Sequence, residues 1–138
     1  MLSIQVLGRV AAIAVSAVFL VSVLTGCGQQ PAAKSPYVFS AVSTEVPIGV
    51  DAVIDVRLTK EPGGTPVENA VIFETRFDMS PDSMGEMSAQ VTPQDAPAPG
   101  VYRFAVKPTM AGRWELKLGA KIQGEAETVR GSVVVTAR

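Results

Sequence analysis

The stretch Arg113-Trp114-Glu115-Leu116-Lys117-Leu118 decides the fold class. An extended strand sends successive side chains to opposite faces, so Trp114, Leu116 and Leu118 share one side while Arg113, Glu115 and Lys117 share the other. Such a strand has one face in a core and the other in water. The pattern recurs on the N-terminal side of this stretch. Tyr102, Phe104 and Val106 are expected inward against Arg103 and Lys107. Ile54, Val56 and Leu58 are expected inward against Asp55 and Arg57, and within residues 70–78 Val71, Phe73 and Phe77 oppose Glu74 and Arg76.

Marking out every β-rich run between turn clusters gives seven candidate strands, at residues 37–44, 50–59, 70–78, 86–92, 101–107, 113–122 and 128–136. The separators are turn chemistry: Pro47 with Gly49, Glu61-Pro62-Gly63-Gly64-Thr65-Pro66, Ser80-Pro81-Asp82, the proline-rich residues 93–100, Ala111-Gly112, and Gly124. No window of helical period competes. One-sided strands at this spacing predict antiparallel sheets packed face to face, an all-β, seven-stranded immunoglobulin-like sandwich, with a small barrel as the alternative.

The N-terminal 27 residues are of another kind. Arg9 is their only charged side chain, and an uncharged apolar run from Val10 ends in Leu24-Thr25-Gly26-Cys27. A positive start, a short apolar core and small residues before the break are signal-peptide architecture. The tetrapeptide resembles the bacterial lipobox, which implies that Cys27 carries fatty acyl chains, palmitate among them, after cleavage on its amino side. Two or more chains give a stable anchor. The alternative is an uncleaved transmembrane segment, but the fifteen residues 10–24 are shorter than the roughly 18 to 20 that span a bilayer. The expected organisation is a signal peptide at 1–26, a lipidated cysteine and tether at 27–36, and the sandwich at 37–138. The expected location is the cell envelope, outside the cytoplasm. The polar, proline-punctuated tether reaches roughly 30 Å when extended.

Loss of residues 1–26 from the 138 leaves 112, enough for one core, with 11 basic and 13 acidic side chains. The basic residues stand singly, which argues against a nucleic-acid partner. There is no histidine, and Cys27 is the sole cysteine. Disulfides and thiolate zinc sites are thereby excluded, and the commonest general base is missing. Without a Gly-x-Ser-x-Gly elbow, a phosphate-cradling loop or an acidic calcium run, the chain is not expected to be an enzyme.

Met79, then Met84-Gly85-Glu86-Met87, then Pro99-Gly100-Val101-Tyr102, then Met110-Ala111-Gly112-Arg113-Trp114-Glu115-Leu116 follow one another in an order similar to the YtkA-like and FixH-like domains of bacterial envelope proteins. The resemblance implies an immunoglobulin-like or cupredoxin-like sandwich. It also implies an association with copper handling, heavy-metal efflux or metalloenzyme assembly at the membrane.

Read from the residues, Met79, Met84 and Met87 lie within nine positions of a polar segment and form a candidate soft-metal site, since thioethers select Cu(I) or Ag(I) over harder cations. The competing reading makes them adaptable packing at the sandwich end. Met110 is a further candidate sulfur if its turn meets that segment. Trp114, Tyr102, Phe104 and Leu116 are assigned to the core, with the Tyr102 hydroxyl expected on nearby backbone. Two functions emerge: a Cu(I)- or Ag(I)-binding accessory, or a metal-free module that docks on another envelope protein through a sheet edge or end loops.

Overall fold

The computed structural model describes residues 34–138. The expected signal peptide, Cys27 and the first part of the tether lie outside the described residues. In chain order the strands are β1 (Tyr37–Ala41), β2 (Glu45–Val46), β3 (Ala52–Lys60), β4 (Thr65–Pro66), β5 (Val71–Met79), β6 (Met84–Ala89), β7 (Val91–Ala98), β8 (Val101–Val106), β9 (Gly112–Lys121) and β10 (Val129–Ala137), with one 3₁₀ turn at Ser80–Asp82. They form two sheets. The first runs β1-β3-β8-β7 with β4 beside β3, and the second runs β2-β10-β9-β5-β6.

Strand β9 shows why the second sheet forms. It is proline-free, strictly alternating, and flanked on both sides, by β10 through a ladder from Val129↔Ala120 to Ala137↔Gly112 and by β5 through Val71↔Lys121 to Asp78↔Glu115. Its inward residues Trp114, Leu116 and Leu118 are buried, and Trp114 stacks on Phe77 with ring centroids 4.9 Å apart. The first sheet supplies the opposing surface through Ile54, Val56 and Leu58 of β3 and Phe104 and Val106 of β8. Each fully buried large apolar side chain contributes roughly 1.5–3 kcal/mol relative to exposure. Alternation thus becomes a core without disulfides.

The described residues form ten strands where the sequence predicts seven. Two of the additions arise where the chain changes sheets. Residues 37–44 yield β1 on the first sheet, while Glu45–Val46 form β2 on the second; likewise β6 and β7 are split at Gln90 because they belong to opposite sheets. The third addition is β4, two residues inside a segment expected to be turn. Strand β2 also pairs parallel with β10, a departure from a purely antiparallel arrangement.

The proline-rich residues 93–100, expected as a separator, are mostly strand. Strand β7 holds Pro93 and Pro97 at the edge of its sheet, where an absent N–H costs no ladder bond on the outer side. The other correction concerns β5. Val71 and Phe73, expected inward, are 62% and 58% exposed, whereas Phe77 is buried. A register shift between Ile72 and Glu74 leaves Phe73 without a partner on β9, so the alternation read from Phe77 backwards changes parity there.

Candidate functional site

Three features of the second sheet bear on function: its methionine-bearing end, a charged groove on its outer face, and the uncovered edge of β5.

At the end, β5 runs into the 3₁₀ turn and returns as β6. Met79 pairs with Met84 across these strands and is fully buried in the core, whereas Met84 and Met87 are exposed. The turn carrying Met110 meets this segment. Asp82 accepts a 2.7 Å hydrogen bond from the Arg113 backbone N–H and another of 2.7 Å from Arg113 Nε, while Arg113 Nη2 donates to the Pro81 carbonyl. These bonds hold the Asp82 carboxyl below its usual range, the backbone bond from Arg113 being the largest cause. Gly112 has φ +140°, and a Cβ there would stand 2.5 Å from Met79 Cε, so glycine is required both by backbone conformation and by the methionine packed on it. Trp114 Nε1 donates to the Met110 carbonyl at 3.1 Å. The Met-x-Gly-x-Trp sequence is therefore a closure device for the sandwich end. Among the described residues no group of three or more His, Cys, Asp or Glu is arranged to hold a metal.

The Pro-Gly-x-Tyr sequence acts at the other end of the sheets. Tyr102 Oη donates to the Val67 carbonyl at 2.8 Å and accepts from the Ala70 N–H at 2.9 Å. The hydroxyl is thus bonded to backbone more than thirty residues upstream, pinning the connection from β4 into β5.

The outer face of the second sheet carries a buried carboxylate under two cations. Asp78 is fully buried, a position aspartate rarely takes unless paired. It accepts from Arg76 Nε at 2.6 Å, from Lys117 Nζ at 3.0 Å, and from the Ser80 N–H at 3.0 Å, with the Ser80 hydroxyl also donating to it. Burial pushes its pKa up, but the hydrogen bonds from Ser80, Arg76 and Lys117 outweigh that cost and leave it well below the ordinary carboxylate range. Sequence reasoning placed Asp78 at the end of the strand 70–78, in a polar segment, and missed this role. The available signal was Asp78-Met79-Ser80-Pro81, an aspartate two residues before a serine whose N–H it can accept.

Beside this network lies a groove of about 400 Å³ lined by Glu74, Arg76, Lys117, Leu118, Arg130 and Ser132, with Gly131 completing it. Its members come from three strands, and the charged ones were read in sequence only as outward-facing or scattered charges. Pairing between β5 and β6 is confined to residues 77–79 of β5, so residues 71–76 have β9 on one side and, among the described residues, no ladder partner on the other. Exposed Val71 and Phe73 lie on this uncovered half.

The model of the YtkA-like family matches residues 32–119, which include the methionine segment, the Pro-Gly-x-Tyr corner and the first part of the Trp strand. The chain belongs to the YtkA-like family. No curated protein matches the chain in sequence. Among solved structures this YtkA-like chain is similar to the ZirS C-terminal domain, at 12% identity and a TM-score of 0.47, with 100% of this chain and 87% of that one covered.

Proposed function

We propose that this YtkA-like protein is a non-catalytic, lipid-anchored module of the cell envelope that docks on another envelope protein through the edge of β5. The observation that carries the reading is the uncovered half of β5, where Val71 and Phe73 stand exposed and residues 71–76 have no outer ladder partner among the described residues. An open edge with apolar side chains is a template for an added strand, and proteins ordinarily blunt such edges with charge, proline or a cover. The first sheet does this at β7 with Pro93 and Pro97; residues 71–73 of β5 carry neither charge nor proline.

A photo-crosslinking residue at position 73 of the full chain, expressed in its host, should give a discrete adduct that Val71→Lys abolishes. Val38 and Val53, 44% and 48% exposed on the first sheet, are the matched controls. Equal adducts at 38, 53 and 73, or none at 73, would refute docking through this edge. The lipid anchor is tested separately: a clickable fatty acid should label the wild type and spare Cys27→Ser.

A second reading rests on the meeting of the Met110 turn with the methionine segment. Burial of Met79 removes it from an exposed ligand set, so a soft Cu(I) or Ag(I) site at this end draws on Met84, Met87 and Met110. An anaerobic Cu(I) competition titration should show about one equivalent bound, lost when these three are replaced by leucine, which keeps most of their volume. No uptake by the wild type would remove this reading and leave the docking reading untouched.

A further inference from the structure

The bulge at Phe73 has a second effect, on Glu74. The shift pairs Glu74 with Gly119, the one outward position of β9 without a side chain, and the glutamate lies across that gap: a Cβ at Gly119 would stand 2.6 Å from Glu74 Oε2. Arg130 Nε holds the same oxygen at 3.2 Å, with both side chains more than half exposed. One protein carboxylate therefore already occupies the groove, held by a single exposed ion pair, a contact worth little in water.

The cations around it equal the anions in number, but their donors are not all used. Arg76 and Lys117 share the charge of Asp78, Lys117 also stands 3.7 Å from Glu115 Oε2, and Arg130 is matched by Glu74. Arg76 uses Nε on Asp78 and Nη2 on the Gly85 carbonyl. Its Nη1 has no partner among the described residues, and neither guanidinium Nη of Arg130 has one. A guanidinium carries five N–H donors in a planar fork, so both arginines retain the geometry that carboxylates take bidentately. Lys117 is spent on Asp78 and Ser80 and acts as a fixed positive charge between them.

We propose that the groove between Arg76 and Arg130 receives acidic side chains of an extended partner segment docked along residues 71–76 of β5, with Glu74 holding the place until the partner's carboxylate displaces it. This rests on the docking reading above. An added strand points alternate side chains to the outer face of the sheet, beside Arg76, while the intervening ones meet other surroundings, so the segment recognised alternates acidic and apolar residues. The bulge positions both halves of the site: it sets Phe73 on the surface for apolar contact and aims Glu74 into the groove.

The test uses the full chain purified in detergent and labelled nine-residue peptides in which valine alternates with glutamate, glutamine or lysine. The glutamate peptide should bind about tenfold more tightly than the glutamine peptide, and the advantage should shrink as salt rises. Arg130→Gln should remove most of that advantage without changing glutamine-peptide binding, and Glu74→Gln should tighten glutamate-peptide binding by about two- to fivefold by freeing Arg130. Phe73→Ser should weaken glutamate and glutamine peptides alike. Because Glu74 and Arg130 are exposed and make no hydrogen bond to Asp78, unchanged near-ultraviolet signal from Trp114 will confirm intact variants. Equal affinity for glutamate and glutamine peptides, both lowered by Phe73→Ser, overturns the groove and leaves the edge reading standing. Glutamate binding that needs Arg130 and ignores Phe73 overturns the edge reading instead, and no binding by any peptide overturns both.

Discussion

Strands β9 and β5 lie side by side in one sheet and pair through most of their length, yet their sequences translate into structure by different rules. In β9 alternation runs unbroken from Arg113 to Leu118, both neighbours are present, and Trp114, Leu116 and Leu118 are buried while Lys117 and Glu115 face outward. In β5 the same alternation is interrupted by a bulge at Phe73, and among the described residues half of one edge is uncovered. A ladder on both sides of a strand enforces parity. Where one ladder is missing and the other slips, parity is lost, and side chains become available for recognition.

Trp114→Ala should produce the largest break, costing about 3–5 kcal/mol in chemical denaturation, because a large stacked aromatic is removed and a cavity remains. Phe73→Ala on the neighbouring strand, by contrast, should stay within about 0.5 kcal/mol, as for other surface positions. A comparable loss at the two sites would mean that Phe73 is packed rather than presented.

Next in size is Asp78→Ala, expected to cost about 2–4 kcal/mol by removing the acceptor for Arg76, Lys117 and Ser80 in a buried setting. The pH dependence has a defined sign. Asp78 has a depressed folded-state pKa, so its stabilisation is fully present above the ordinary aspartate value of about 4 and is lost as pH falls through the folded value. The stability gap between wild type and Asp78→Asn should therefore be constant from pH 7 to 5 and narrow below about pH 4. A gap that widens on acidification would contradict the assignment.

Tyr102→Phe should cost about 1 kcal/mol, since the Ala70 N–H and Val67 carbonyl lose their partner in a half-buried setting. It should also raise hydrogen exchange at Ala70, at the entrance to β5, more than anywhere in β9. Met79→Leu should cost under about 1.5 kcal/mol, because volume is nearly kept. Met84→Leu and Met87→Leu, at exposed positions, should be close to neutral, within about 0.5 kcal/mol.

The core of the sandwich was legible because it depends on local periodicity. Ile54-Asp55-Val56-Arg57-Leu58 and the Trp114 strand specify their buried faces without reference to any other part of the chain. The Gly-x-Trp and Pro-Gly-x-Tyr sequences were legible as punctuation, although the partners of Tyr102 and Asp82 were not, since those bonds join residues about thirty positions apart. The methionine segment shows the limit most clearly. Spacing grouped Met79, Met84 and Met87, whereas folding buried the first and brought the turn carrying Met110 to the segment.

By itself, then, the sequence determined an all-β sandwich and which faces of its regular strands are apolar, because burial of alternate side chains is fixed by a two-residue repeat. Tertiary structure alone decided the strand count, the exposure of Val71 and Phe73, the buried Asp78 network, and the groove shared by Glu74, Arg76 and Arg130. Those features arise from a bulge, a change of sheet and the pairing of strands distant in the chain, and register between distant strands is set by the packed assembly rather than by any one segment.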